Sequence, residues 1–205
     1  MNNQLVIIGA SAMGREACAY ARDCGIQVKG FLDDRTTILN GFVGYPPVLG
    51  SVENYVADDT DIFVCALGDP KKKQEYVEKI LEAGGRFVSI IHPTAYVGPN
   101  VRIGDGCIIC PHASISADIT IGNHVIVNLN ASINHDNVIG NYSTICPGCR
   151  LAGRISVGTS AFIGVGASII PDIKIGDSVF VAAGAVVVAD VDSGCVMGNP
   201  AKQRK

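Results

Sequence analysis

The chain lacks what a membrane protein or a nucleic-acid binder would need. Its longest apolar run, Val179 to Ala189, has eleven residues, well short of the ~20 that span a bilayer. The N-terminus has neither a basic region nor a cleavage site, so a cytoplasmic protein is expected. A net charge of −3 provides no basic footprint, and the lysines are scattered apart from Lys71, Lys72, Lys73 and the terminal Lys202, Arg204 and Lys205. Nucleic acid is therefore not an expected partner. Charged residues make up only 17 % of the chain, but 48 % is hydrophobic, which describes a soluble globular protein and not a disordered one.

What the chain has is a repeat. Sixteen aliphatic residues recur at every sixth position from Val97 through Ile103, Ile109 and onward to Val187. A period of six fits neither a helix nor a simple strand pair, but it fits a triangular coil whose flat sides are about six residues long. The pattern predicts a left-handed parallel β-helix. The positions two before each aliphatic, such as Ala95, Cys107, Ala113, Val125 and Ala131, are mostly small or apolar, so two inward residues per side are predicted. Residues 18 apart should stack on neighbouring coils.

This register also bears on the eight cysteines. Cys107-x-x-Cys110 and Cys146-x-x-Cys149 have the spacing of a four-thiolate zinc site. However, Cys107 and Cys149 fall in the inward slot while Cys110 and Cys146 fall one residue after the aliphatic, and 107 and 149 are not a whole number of coils apart. Buried or wall thiols in a reducing compartment are expected, with no metal.

The first ninety residues follow another rule. Gln4 to Gly9, Gln27 to Leu32 and Asp61 to Ala66 read as buried strands. Met13 to Cys24 and Pro70 to Ala83 read as amphipathic helices, and Arg86 to Ile91 as a last strand entering the repeat. Alternating elements predict a small Rossmann-like parallel sheet over residues 1–91, followed by the β-helix over 92–205, with His92-Pro93 as the hinge. The turn Gly9-Ala10-Ser11-Ala12-Met13-Gly14 is a variant of G-x-G-x-x-G with Ser11 at the middle glycine. It offers backbone N–H groups at a helix start to an anion. Asp33 and Asp34 close the next strand, where a carboxylate can meet a ribose, and Gly68-Asp69 follows the third strand. Three loops at one sheet edge predict a nucleotide site.

Ile8-Gly9-Ala10-Ser11, Leu32-Asp33-Asp34, hexapeptides containing Asn134-His135-Asp136, and a terminal Gly198-Asn199-Pro200-Ala201-Lys202 together resemble one family across the whole chain. It is that of the bacterial sugar acyltransferases of the PglD and NeuD type. The resemblance implies a homotrimer that moves an acetyl group from acetyl-CoA to a sugar, usually the 4-amino group of a nucleotide-linked 4-amino-4,6-dideoxysugar. It implies a nucleotide sugar held by Gly9, Ser11, Asp33, Asp34, Gly68 and Asp69, and acetyl-CoA lying along the β-helix between subunits. His135 matches the catalytic histidine and Asp136 the acidic residue that orients it. Gly153 matches a backbone donor to the thioester carbonyl, and Asn128 a polar residue of the same cleft. Val165 and Ala183 match backbone contacts to pantetheine, and Lys202 could reach the 3′-phosphate of CoA. Some relatives carry histidines where this chain has Met13 and Thr144.

Histidine suits the chemistry, because an attacking amine must be neutral and a base titrating near 7 is what the step requires. Spacing predicts that His135 stacks between Ala117 and Gly153. His112 and His124, at other repeat positions, are expected on the surface, and His92 is expected to cap the junction. Two alternatives share the pattern: O-acetylation of a sugar such as sialic acid, and a trimeric binding protein without chemistry. The histidine separations do not fit the zinc carbonic anhydrases built on this coil. Ser11 in place of glycine, with no second catalytic domain, argues against an NAD oxidoreductase.

Overall fold

The computed structural model describes residues 3–196 and 198. Four parallel strands, β1 (Gln4–Ile8), β2 (Val28–Leu32), β3 (Val48–Gly50) and β4 (Asp61–Cys65), form a sheet in the order β3-β2-β1-β4. Helix α1 (Ala12–Asp23) links β1 to β2, and α2 (Pro70–Glu82) follows β4. β1 is apolar on both faces because both are covered. Leu5 and Ile7 pack with Ala17, Cys18 and Ala21 of α1, while Val6 and Ile8 pack with Val77 and Ile80 of α2. Strand β3, short and half-buried, carries no apolar run and was not legible in the sequence.

The remainder is a parallel β-solenoid with three walls. The first runs from Ile90–Ile91 to Cys195–Val196, the second from Tyr96–Val97 to Val186–Val187, and the third from Arg102–Ile103 to Lys174–Ile175. Within a wall, paired strands up to Val186–Val187 lie 18 residues apart, as Ile108 with Ile126 and Thr144 with Phe162, whereas the last pairing, Phe180 with Cys195, spans 15 residues. The period-six aliphatics and their small partners fill one continuous core. A residue with φ near +60° recurs every six positions from Asn100 to Gly184 at the corners, and Asn, Asp, Ser and Gly occupy most of these sites. Of these, glycine, asparagine and aspartate adopt the left-handed region most readily.

The expected strand over Arg86 to Ile91 is divided in the structure. Phe87 bridges to Phe63 of the first sheet, whereas Ile90–Ile91 already belong to the first wall. That wall differs from the others in its outward residues. Ile90, Ile108 and Ile126 are fully or almost fully buried against α1; the second wall shows Ser114, Ser132 and Ser168 at equivalent places. Burying each isoleucine is worth roughly 1.5–3 kcal/mol, so this stripe fixes which wall carries the sheet domain. His92 ties the junction, its Nε2 3.1 Å from Asp23 Oδ2 at the end of α1. His124 is not on the surface. Its ring is stacked on Tyr142 and meets the Phe87 ring edge-on, leaving it 4 % exposed.

Candidate active site

His135 and Asp136 turn the chain from the second wall into the third. Asp136 sits at φ 60°, a conformation an aspartate adopts more easily than most residues, and its Oδ2 lies 2.7 Å from His135 Nδ1. A carboxylate accepts only, so Nδ1 carries the proton and Nε2 is left as the basic nitrogen. Both side chains are about half exposed.

One coil further along, Gly153 faces this imidazole. A Cβ built on Gly153 would stand 2.5 Å from His135 Cε1 and 2.7 Å from Nε2. Among the described residues no acceptor takes the Gly153 N–H. The backbone around this pair is fixed from inside the coil by Asn137, which is fully buried. Its Nδ2 donates to the carbonyls of Asn134 and Ala152, and its Oδ1 accepts from the Ile155 N–H. Asn137 thus locks the coil of His135 to the coil of Gly153. The sequence signal for it is a polar residue in an inward slot that is mostly small or apolar.

Asn128, Val165 and Ala183 gather at another corner, between the first and second walls. In one chain, therefore, the second wall separates Asn128 from His135. Asn128 Oδ1 accepts from the Leu129 N–H at 2.8 Å. Pro147 occupies the place one coil before Val165 and has no N–H to offer. Among the described residues, the N–H groups of Val165 and Ala183 have no acceptor in the chain. Two donors one coil apart are the pattern an extended chain of amide carbonyls would meet. Lys202 lies outside the described residues.

A cavity of about 380 Å³ opens at the sheet edge, lined by Gly9, Asp33, Asp34, Arg35, Lys72 and Tyr76 among others. Gly9 has φ 94°, and a Cβ on Gly14 would fall 1.9 Å from the Gly9 carbonyl oxygen. The two glycines therefore set the tight turn and the close helix–strand approach. Asp33 is turned inward: Oδ2 accepts from the Ala10 N–H, and Oδ1 accepts from the backbone N–H and Nε of Arg35. Burial works to raise its pKa, but these hydrogen bonds outweigh it and hold the carboxyl below the usual range. Asp34 Oδ2 accepts from the Tyr76 hydroxyl. Ser11 caps α1 without a side-chain hydrogen bond and Gly68 has open space beside it, but neither lines this cavity. Asp69 caps α2 through the Lys72 N–H and faces a second cavity on the opposite flank of that helix. Arg35, Lys72 and Tyr76 escaped the sequence reading; the signal for the last two is their i, i+4 spacing at the start of the helix after β4.

Thr144 is buried on the first wall against α2. Cys107, Cys110, Cys146 and Cys149 are buried thiols. Among the described residues no group of three or more histidine, cysteine or acidic side chains is arranged to hold a metal ion. No described helix is long and apolar enough to cross a membrane.

Comparison with known proteins adds to this geometry. The PglD N-terminal domain family matches residues 4–80, and the bacterial transferase hexapeptide family matches residues 88–117. No curated protein sequence matches the chain. Among solved structures, the acetyltransferase domain of PglB from Neisseria gonorrhoeae FA1090 is 33 % identical, with a TM-score of 0.88 over 98 % of this chain and 99 % of that one. The same domain is also known in complex with acetyl coenzyme A. PerB from Caulobacter crescentus, in complex with CoA and GDP-perosamine, is 34 % identical, with a TM-score of 0.86 over 99 % of this chain and 98 % of that one. WeeI from Acinetobacter baumannii AYE is 28 % identical, with a TM-score of 0.85 over 98 % and 99 %.

Proposed function

The chain belongs to the PglD-type, hexapeptide-repeat family of sugar N-acetyltransferases, and from that premise we propose that it transfers an acetyl group from acetyl-CoA to the 4-amino group of a nucleotide-linked 4-amino-4,6-dideoxysugar. The observation that carries the reading is the His135–Asp136 pair set against Gly153 at an open corner of the coil.

His135 Nε2 accepts the proton that the amine loses as it attacks the thioester carbonyl, while Asp136 holds the tautomer through Nδ1. The negative charge that develops on the carbonyl oxygen is met by the Gly153 N–H. As the tetrahedral intermediate collapses, the C–S bond breaks and the imidazolium returns its proton to the departing sulfur, giving the amide and free CoA thiol. A base in this role is worth about 10²–10⁴ in rate, and holding two substrates together contributes the rest. No acetyl-enzyme is needed.

Residues 1–91 hold the nucleotide sugar in this reading, with Gly9, Ser11, Asp33, Asp34, Gly68 and Asp69 shaping its site. Residues 92–205 hold acetyl-CoA and the chemistry, with Asn128, Gly153, Val165, Ala183 and Lys202 along the cofactor. The N–H groups of Val165 and Ala183 lie at a different corner from His135 and Gly153. A pantetheine arm touching both sets therefore runs between two copies of the chain, and a three-fold ring provides three such sites. Thiol release from acetyl-CoA, assayed with UDP-, dTDP- and GDP-linked 4-amino-4,6-dideoxysugars and with sialic acid, tests the proposal. Turnover with one amino sugar supports it. Turnover with the hydroxyl acceptor alone moves the protein to O-acetylation, and thiol release with no acceptor of the panel overturns the reading.

A further inference from the structure

Lys73 lies in the first turns of α2 with no exposed surface. Its Nζ crosses the seam between helix and solenoid and donates to the Ser143 carbonyl oxygen at 3.2 Å and to Thr144 Oγ1 at 3.0 Å. Both acceptors are uncharged. The titratable groups facing it are the thiols of Cys65 on β4 and of Cys107 and Cys146 on the solenoid, Asp69 at the start of α2, and His124 at a corner. Among the described residues none of these hydrogen-bonds the amine. Burial pushes the amine down to about 8, and among the described residues no carboxylate hydrogen-bonds it to offset the cost of charging it there. A methionine of similar length would avoid that penalty.

What the lysine supplies is a fixed attachment. Val77 and Ile80, the other buried side chains of α2, pack on the sheet of their own domain. The side chains of α2 that hydrogen-bond the solenoid are Lys73 and Gln74, the latter through Ser160. On the same turns, Lys72 and Tyr76 line the nucleotide cavity. The cavity wall is thus tied to the solenoid through the residue that lies between them in sequence.

We propose that Lys73 is a positioning residue for the acceptor: by anchoring the first turns of α2 to Ser143 and Thr144, it sets how the nucleotide cavity stands relative to the catalytic corners of the solenoid. It thereby favours acceptors whose length from nucleotide to amine matches that reach. The inference rests on the acetyltransfer reading above.

The test compares wild type with Lys73→Met and Thr144→Val, the second removing the hydroxyl at the far end of the contact. Lys73→Met is expected to raise KM for the sugar nucleotide at least tenfold. Acetyl-CoA KM and the affinity for the free nucleoside diphosphate should stay within twofold, and thermal stability at pH 7 should be unchanged or higher. Thr144→Val should shift the same KM by less, and the double variant should be no worse than Lys73→Met. If Lys73→Met does not fold, Thr144→Val decides alone. Unchanged acceptor KM in folded variants of a wild type that turns over overturns this inference and leaves the acetyltransfer reading standing. Lowered stability with both substrates' KM values unaltered gives Lys73 a purely structural part and overturns it too. A wild type that transfers to no acceptor overturns both.

Discussion

The imidazole of His135 lies so close to Gly153 on the next coil that a single methyl group there would stand 2.5 Å from its Cε1. Gly153 has no positive φ to protect, so Gly153→Ala strains no backbone and acts on the ring alone. Displacing a base by about 1 Å costs up to ~10² in rate. We expect kcat to fall tenfold or more, with little change in acetyl-CoA KM and a folded protein by circular dichroism. Full activity would show that the ring need not stay where it lies.

Asp136→Asn keeps a residue that accepts φ 60° but supplies an amide in place of the carboxylate on Nδ1. The tautomer is then no longer fixed. Steady-state kinetics should show kcat lowered because the wrong tautomer is then populated, with the melting temperature nearly unchanged.

Val165→Pro isolates one backbone donor. Pro147 stands one coil earlier in the same column, so this corner accepts proline; the N–H is lost together with the exposed valine side chain, for which Val165→Ala is the control. A hydrogen bond is worth about 0.5–1.5 kcal/mol. Acetyl-CoA KM should therefore rise by roughly 2–10-fold, while acceptor KM stays put. An equal rise in both would place Val165 away from the cofactor.

His124 should make the fold sensitive to acid. Burial, helped by the nearby charge of Lys73, pushes its pKa down from 6.5 to about 4, and its Nδ1 has no hydrogen-bond partner. The folded state resists protonation that the unfolded chain accepts. Stability is thus complete above about pH 6.5 and falls as the pH drops towards 4, by up to about 3 kcal/mol. Denaturant titrations between pH 7 and 4.5 should show this slope, and His124→Asn, which cannot titrate, should flatten it.

How much of this the sequence displayed depended on how strictly a residue was bound to the period. The solenoid was legible because the inward aliphatics from Val97 to Val187 and their small partners must all enter one narrow core. The stacking of His135 on Gly153 followed from the same 18-residue arithmetic. The wall that carries the sheet domain was equally written in Ile90, Ile108 and Ile126, which repeat every 18 residues on the outer face, but a period of six hides a period of 18. His124 was misread for a related reason: its repeat position gives its corner but not what packs there, and Phe87 and Tyr142 arrive from distant segments. The inward turn of Asp33 towards Ala10 and Arg35, and the span of Lys73 to Thr144, depend on contacts between separate elements. No local pattern announces them.

Whether His135 is the base of an acetyl transfer is decided by thiol release from acetyl-CoA by wild type and His135→Ala with a nucleotide-linked 4-amino-4,6-dideoxysugar, alongside acetyl-CoA affinity measured by calorimetry. A fall of about 10²–10⁴ in kcat with acetyl-CoA affinity retained is expected. A His135→Ala enzyme that turns over within a few-fold of wild type would contradict that role.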